Sequence, residues 1–521
     1  MVRRHLPIGI QDFSTIRGDN FYYVDKTPLI HRLVSEGRYY FLSRPRRFGK
    51  SLLVDTLRQL FAGKRRLFRG LVIHDHWDWT VTRPVVRLSF DGKYNEPGNL
   101  DSDVASQLEG IEEDAEIEPS PSAKTGPERF RSMLQRFHRI TGRQVVVLVD
   151  EYDKPILDVL DNPELAKANR DYLRGLYGIV RGCAEHVRFV FVTGVSMFSK
   201  VSLFCGLNNL LDISLDPRFA TICGFTDSDL DAVFAPELPG LDREQVRHSY
   251  NGYHWGGEEK LYNPLDMLLL FRNRKFDSHW YETGTPKFLH HLMVERNLNP
   301  LQLENRLVAE RRLSRFDVDD IDPRALMFQA GYLTIVGEER RGTDTFFALE
   351  FPNLEVRRSF NQDMLAHLGQ KEEEVSWQGH ALLEWLEAND FDGFAEQLRS
   401  HLAGIPDQWR LGGDLGRYES HYAAMLYMTF CAVAADVRAE ESSSRGRADM
   451  VLRHGGQVFV LELKMAEGRN GAGAAATRVL SQMRSRGYGE KYGGRGEPIH
   501  LVGVVFGRKD RDLLAVRAER C

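Results

Sequence analysis

Apolar residues fall into three successive patterns along the chain. Up to about Phe225, short apolar runs alternate with helical periodicity. The runs Tyr39–Leu42, Val85–Phe90, Val145–Val149 and Phe189–Thr193 read as strands. A helical stripe begins at Ser51, and another near Glu128 puts Phe130, Met133, Leu134 and Phe137 on one face. Uniformly apolar strands separated by helices predict an α/β fold, a parallel sheet covered on both sides. The polar, Pro- and Ser-containing stretch Glu112–Pro127 is expected to be an exposed loop. A middle region is richer in helical patterns and closes on Ala325–Gly331, Tyr332–Val336, a charged turn at Glu338–Gly342 and Thr345–Phe351. Helix followed by hairpin is the order of a winged helix, and of other α+β units. From Lys371 onward helices come first, then short strands with glycine-rich turns. The expected domains are therefore 1–225, 226–370 and 371–521, with no internal repeat.

The strand at Tyr40 runs into Ser43-Arg-Pro-Arg-Arg-Phe-Gly-Lys-Ser51 and then into a helix. Gly49 permits a tight turn, Lys50 can reach β- and γ-phosphates, and Ser51 can ligate Mg²⁺. The helix N-terminus adds free N–H groups for anions. A full P-loop has glycine five residues before Gly49, where this chain has Arg44. A second strand, Val145–Val149, ends in Asp150 and Glu151. Asp150 fits a Mg²⁺-holding carboxylate, and Glu151 stands where a general base would polarise water. Strands ending in solvated acids are common, but the pairing with an upstream strand–GKS–helix favours an ATP site. In P-loop ATPases with an extra strand between these elements, a polar residue at its end senses the γ-phosphate. Thr193 or Ser196 fits that place, though turn formation is the simpler explanation. Arg46, Arg47 and Arg218 are equal candidates for an arginine acting on the γ-phosphate.

The C-terminal region holds a different chemistry. Ser444-Arg-Gly-Arg-Ala-Asp449-Met-Val-Leu, a turn at Gly455–Gly456, and Val458-Phe-Val-Leu-Glu462-Leu-Lys464 read as a β-hairpin. Side chains two apart share a strand face, so Glu462 and Lys464 lie together while Leu461 and Leu463 enter the core. Asp449 joins them from the neighbouring strand. Two carboxylates and a lysine are what Mg²⁺-dependent phosphodiester hydrolysis requires. Glu419, opening an apolar helix, is a further candidate metal ligand, and Gln482 and Tyr488 follow downstream. His74-Asp-His76-Trp77-Asp78 reads as a loop more readily than as a metal cluster. His290 and His291 do not share a helical face and read as structural.

Six segments appear in order: LPIGIQDF, YYVDKTPLI, SRPRRFGKSLL, VDEYDKPI, FVTGVSMFSKVSLFCGLNNL and DISLDPRFATICGFT. Together they resemble the bacterial and archaeal AAA-ATPase-like family that usually carries a C-terminal PD-(D/E)xK nuclease domain. In that family the arginine-rich loop before GKS is usual. The resemblance implies that Asp25 and Lys26 lie near the nucleotide. Similarity to STAND-type switch ATPases gives Gly284-Thr-Pro286 a role as a lid contact, with a plain helix-start turn as the alternative. Expected cofactors are ATP and Mg²⁺; the expected partner is nucleic acid, DNA ahead of RNA, with homo-oligomerisation open. The fold expectation is a P-loop α/β domain, a helical or winged-helix-like middle region and a PD-(D/E)xK-like α/β domain. Prokaryotic defence is what the resemblance implies. The competing reading is a nucleotide switch whose C-terminal domain binds without cutting.

Composition narrows this little. Hydrophobic content of 42% and charged content of 27% are those of a soluble globular protein. No apolar run reaches about 18 residues, and the start lacks a signal-peptide pattern, so a cytoplasmic protein is expected. Five scattered cysteines predict reduced thiols. The net charge of −5 hides a basic end, with 15 Lys/Arg against 9 Asp/Glu from Glu441 to Cys521. That excess suits a phosphate backbone, and equally a solvated surface.

Overall fold

The computed structural model describes residues 3–197, 209–280, 300–304, 306–313, 322–403, 415–443, 446–508 and 512–521. The side chains of 302, 306, 415–420, 440–443, 446–447 and 495 lie outside that description. Two compact units result: Met1–Leu289 with Leu307–Asn353, and His290–Arg306 with Leu354–Cys521. The sequence boundary at residue 370 falls inside the second, after the helix Leu354–His367.

The first unit is built on five parallel strands, β1 (Tyr39–Ser43), β2 (Val85–Ser89), β3 (Val145–Asp150), β4 (Val187–Gly194) and β5 (Leu211–Asp212), in the order β2-β3-β4-β1-β5. Every residue of β3 is buried, as a strand covered on both faces must be. β4 separates β1 from β3, so the strand ends carrying Thr193, the P-loop and Asp150 are neighbours. The helix Gly126–Thr141 starts on a capping box, Thr125 with Glu128, and ends at Gly142 in the left-handed region. Its buried stripe is the expected one: Phe130, Met133, Leu134 and Phe137.

Two local expectations are corrected. Glu112 lies in no loop: the helix Asn99–Asp114 includes it, and it is 1% exposed. It extends the i, i+4 stripe Val104–Leu108, and Arg136 meets its carboxylate at 3.3 Å. The charged turn at Glu338–Gly342 is mostly strand. β9 (Thr334–Arg341) pairs antiparallel with β10 (Asp344–Glu350), and Gly342, at φ 63°, marks the turn. The charges are tolerated in the strand because same-face neighbours pair, Arg340 with Glu338 and Arg341 with Glu339. The helix Pro323–Ala330 precedes this hairpin as expected, and β8 (Arg306–Ala309) adds a third strand in the order β8-β10-β9.

A second core joins the start of the chain to the middle region. Tyr22 and Val24 pack with Leu230, Phe234, Tyr250, Tyr262 and Leu268. Tyr262 comes from β7 (Leu261–Tyr262), which pairs antiparallel with β6 (Asn251–Tyr253).

The second unit carries a mixed five-stranded sheet: β11 (Asp436–Ser443), β12 (Gly446–His454), β13 (Gln457–Ala466), β14 (Ile499–Gly507) and β15 (Leu513–Arg520), in sequence order. β13 and β14 are parallel and the other pairs antiparallel. These strands run eight to ten residues, longer than the short strands expected. Helices Leu415–Ala432 and Ala472–Ser485 pack on the sheet. A buried ion pair anchors this unit: Glu304 accepts from Arg357 at 2.7 Å and from the Tyr427 hydroxyl at 2.5 Å.

Candidate functional sites

The P-loop turns where the sequence requires. Gly49 has φ 90°, a conformation costly for any side chain, and Lys50 opens the helix Lys50–Phe61. The helix start faces a pocket of about 350 Å³ lined by Arg46, Arg47, Gly49, Lys50, Ser51 and Glu151. Pro7, Ile10, Phe225, Leu265 and Leu268 form apolar wall. Lys50 is turned back on its own loop, donating to the carbonyls of Arg44 and Pro45 at 2.9 Å each. Burial pushes its ammonium below the ordinary lysine value, against the pull of Asp150, Glu151 and Asp153.

Arg44, standing where a glycine is usual, does not enter the pocket. It is fully buried, donates to the carbonyls of Ser43 and Ser214 at 2.8 Å, and approaches those of Phe219 and Ala220. Its guanidinium lies 4.4 Å from the Trp255 ring centroid. Burial lowers its pKa to about 10. The rest of the loop is gripped by later residues. The Phe48 ring meets Tyr253 and Trp255, and the Arg46 carbonyl accepts from Trp280 at 3.3 Å. A Cβ on Gly331 would come within 2.7 Å of Pro45. Side-chain anchoring thus replaces the backbone flexibility of a glycine-rich loop.

Asp150 ends β3 at 1% exposure, with Oδ1 meeting no donor and Oδ2 3.8 Å from Arg87. Glu151 follows in the left-handed region at φ 54°, and burial raises its carboxyl pKa, opposed by Lys50. The Thr193 hydroxyl is fully buried and donates to the Leu42 carbonyl at 2.8 Å, tying β4 to β1. Ser196 donates from its N–H (2.6 Å) and hydroxyl (2.5 Å) to buried Asp153, whose carboxyl burial pushes upward.

Lys26 lines the pocket, bound to Asp229 at 2.7 Å. Asp25 does not line it. Its carboxylate accepts from Thr27 N–H and hydroxyl and from Val72 N–H, capping the start of the helix Thr27–Glu36. Of the three candidate arginines, Arg46 and Arg47 line the pocket, while Arg218 is held by Asp216 and Glu36.

The second site is built by the hairpin β12–β13. The ladder pairs Met450 with Leu461, and one residue further in this register Asp449 stands across from Glu462. Leu463 N–H donates to Asp449 Oδ2 at 2.8 Å. Leu461 and Leu463 are fully buried in the core, as alternation requires. Glu462 is 3% exposed; its Oε1 lies 3.3 Å from Lys464 Nζ, and its Oε2 meets no donor among the described residues. Burial, then the neighbouring charge of Asp449, push its carboxyl up to about 7 against the pull of Lys464. A buried carboxylate oxygen without a donor, beside a second carboxylate, fits a hard divalent cation. The Tyr488 ring is buried in the cluster that holds Val458 and Val460. Gln482, on the helix Ala472–Ser485, is partly buried.

The side chain of Glu419, the segment Gly284–Pro286, His290, His291 and Cys205 lie outside the described residues. Among the described residues no three His, Cys, Asp or Glu gather as a metal cluster. His74 and Asp75 end a 3-10 turn, Val72–Asp75, and His76–Asp78 follow as the expected loop. Described cysteines 183, 223, 431 and 521 are free thiols. No described helix is long and apolar enough to cross a membrane. Sequence reading missed Arg44's anchoring role, Arg87 beside Asp150, and the pocket wall from Pro7 and Leu265. Only a three-dimensional neighbour reveals these.

Residues 7–204 match the family model for a predicted AAA-ATPase, and residues 417–515 match that for the PD-(D/E)XK nuclease superfamily. A protein of Azotobacter chroococcum mcd 1, described as an uncharacterized protein in the vnfD 5′ region, is 47% identical over 521 residues, covering 100% of this chain and 99% of its own. No solved structure matches. The chain belongs to one family with the Azotobacter protein, and it carries a predicted AAA-ATPase domain towards its N-terminal end and a PD-(D/E)XK nuclease superfamily domain towards its C-terminal end.

Proposed function

We propose that this protein is an ATP-controlled, Mg²⁺-dependent phosphodiesterase acting on nucleic acid, DNA ahead of RNA. The observation that carries the reading is Glu462: a buried carboxylate with an unpartnered oxygen, beside Lys464 and across from Asp449. Glu462 and Asp449 hold the divalent cation, with Glu419 as a further ligand. Bound there, the cation supplies a Lewis acid for the phosphate and a water of lowered pKa. Lys464 positions the attacking water or neutralises charge developing on the phosphate. Glu462 must be ionised to hold the cation, so proton and metal compete for its carboxylate.

At the other site, Lys50 would bind the phosphates of ATP, and Ser51 and Asp150 would hold its Mg²⁺. Glu151 takes the proton of the attacking water, and Thr193 holds the strand ends in place. Buried hydrogen bonds support control through the middle region. Asp153 holds Ser196, the next N–H (Met197) donates to Gln329 Oε1 at 2.8 Å, and Gln329 donates to the Leu313 carbonyl at 2.7 Å. The test is Mg²⁺-dependent cutting of labelled DNA and RNA by the full chain, with and without ATP. Glu462→Gln and Lys464→Ala abolish it in this reading. Undiminished cutting by either variant refutes the assignment, and cutting indifferent to ATP removes the control.

A further inference from the structure

Alternation along β13 puts Val458, Val460, Glu462 and Lys464 on one face. Val458 and Val460 pack there with Val479 and Met483 from the helix Ala472–Ser485 and with Tyr488. The apolar part of this face ends at Val460, and the next residue on it is Glu462. The helix stops at Arg486, its C-cap, and Gly487 at φ 60° turns the chain back so that Tyr488 is buried again. The buried Tyr488 hydroxyl accepts from Arg486 Nη1 at 3.0 Å.

Arg486 itself is exposed. Among the described residues, no carboxylate lies within ion-pair distance of its guanidinium, whereas Arg484, two residues earlier, is spent on Glu519. The bond to Tyr488 chiefly raises the Arg486 pKa, and the charge of Glu462 adds to it. An arginine oriented by a neutral, buried hydroxyl keeps most of its five donors for an anion.

We propose that Arg486, steered by Tyr488, is a phosphate-binding residue of the nuclease site, gripping the backbone of the DNA strand presented to Glu462 and Lys464. The inference rests on the nuclease reading above. Planar guanidinium donors match two phosphate oxygens, and the contact adds affinity without reading sequence. Lys464 and Arg486 then bracket the strand from β13 and from the end of the helix.

The experiment uses the full chain carrying Glu462→Gln, so that binding is read without cutting, on a short labelled DNA duplex across rising salt. Adding Arg486→Gln weakens binding about tenfold and lowers the slope of log affinity against log salt by about one. Adding Arg486→Lys instead keeps the slope. Thermal midpoints stay together because the side chain is exposed. Equal affinity and slope for Arg486→Gln and its parent overturn the proposal while leaving the nuclease reading intact. DNA cutting by Glu462→Gln alone overturns the reading beneath it.

Discussion

Each unit buries a charged group beside its candidate site, and the two are treated differently. In the first, Arg44 is surrounded by carbonyl oxygens and an indole face, so both terminal nitrogens are engaged from within and only Nε meets no acceptor among the described residues. In the second, Glu462 keeps one oxygen without a donor and shares its neighbourhood with a second carboxylate. A charge satisfied by the fold is an anchor. A charge left unsatisfied marks where a ligand is expected, because desolvation is uncompensated until one arrives.

The largest effect separates the two chemistries. Glu462→Gln lowers Mg²⁺-dependent cutting by at least about a thousandfold while nucleotide binding persists. Lys50→Ala removes nucleotide binding and leaves divalent-cation binding at the second site. Paired ATP-binding and divalent-cation-binding assays check this, and loss of nucleotide binding in Glu462→Gln, or of cation binding in Lys50→Ala, breaks the comparison. Next, Arg44→Met takes the guanidinium donors away from four carbonyls, of which that of Phe219 keeps the Ile222 N–H, and costs roughly 3 kcal/mol, read by denaturant unfolding. A cost under about 1 kcal/mol would show that Arg44 is no anchor.

Glu462 gives a pH signature of opposite origin. Its carboxyl ionises near 4.5 in the unfolded chain and at about 7 in the folded one. Between these values the folded state holds more proton, so metal-free stability falls as pH rises from about 4.5 through 7. The loss reaches about 3 kcal/mol above the folded value. Metal-free Glu462→Gln lacks this decline, and its presence in that variant would assign it elsewhere. The smallest effect concerns coupling. Gln329→Leu removes the partners of Met197 N–H and the Leu313 carbonyl, reducing the influence of ATP on cutting about fivefold. Unchanged stimulation would mean that control runs by another route.

Much of the molecule was legible before any coordinates. The strand–GKS–helix, the strand ending in Asp150 and the hairpin with Asp449, Glu462 and Lys464 all depend on local periodicity and turn residues. Glu112 and the β9 charges were misread because each is neutralised by a partner, Arg136 from another helix and near neighbours along the strand. Local polarity alone announces exposure, and only a partner reverses it. Asp25 and Lys26 show the same limit. They are adjacent in sequence, yet one caps a helix and the other lines the pocket.

What the sequence determined by itself was the order of elements and the shared face of Glu462 and Lys464, because strand and helix periods are properties of the chain. Tertiary structure alone decided that Arg44 serves as an anchor outside the pocket, that Lys50 rests on its own loop, and that Glu462 is buried enough to hold its proton to about 7. Hydrogen-bond partners and desolvation depend on what else is packed nearby, and packing brings together residues hundreds of positions apart.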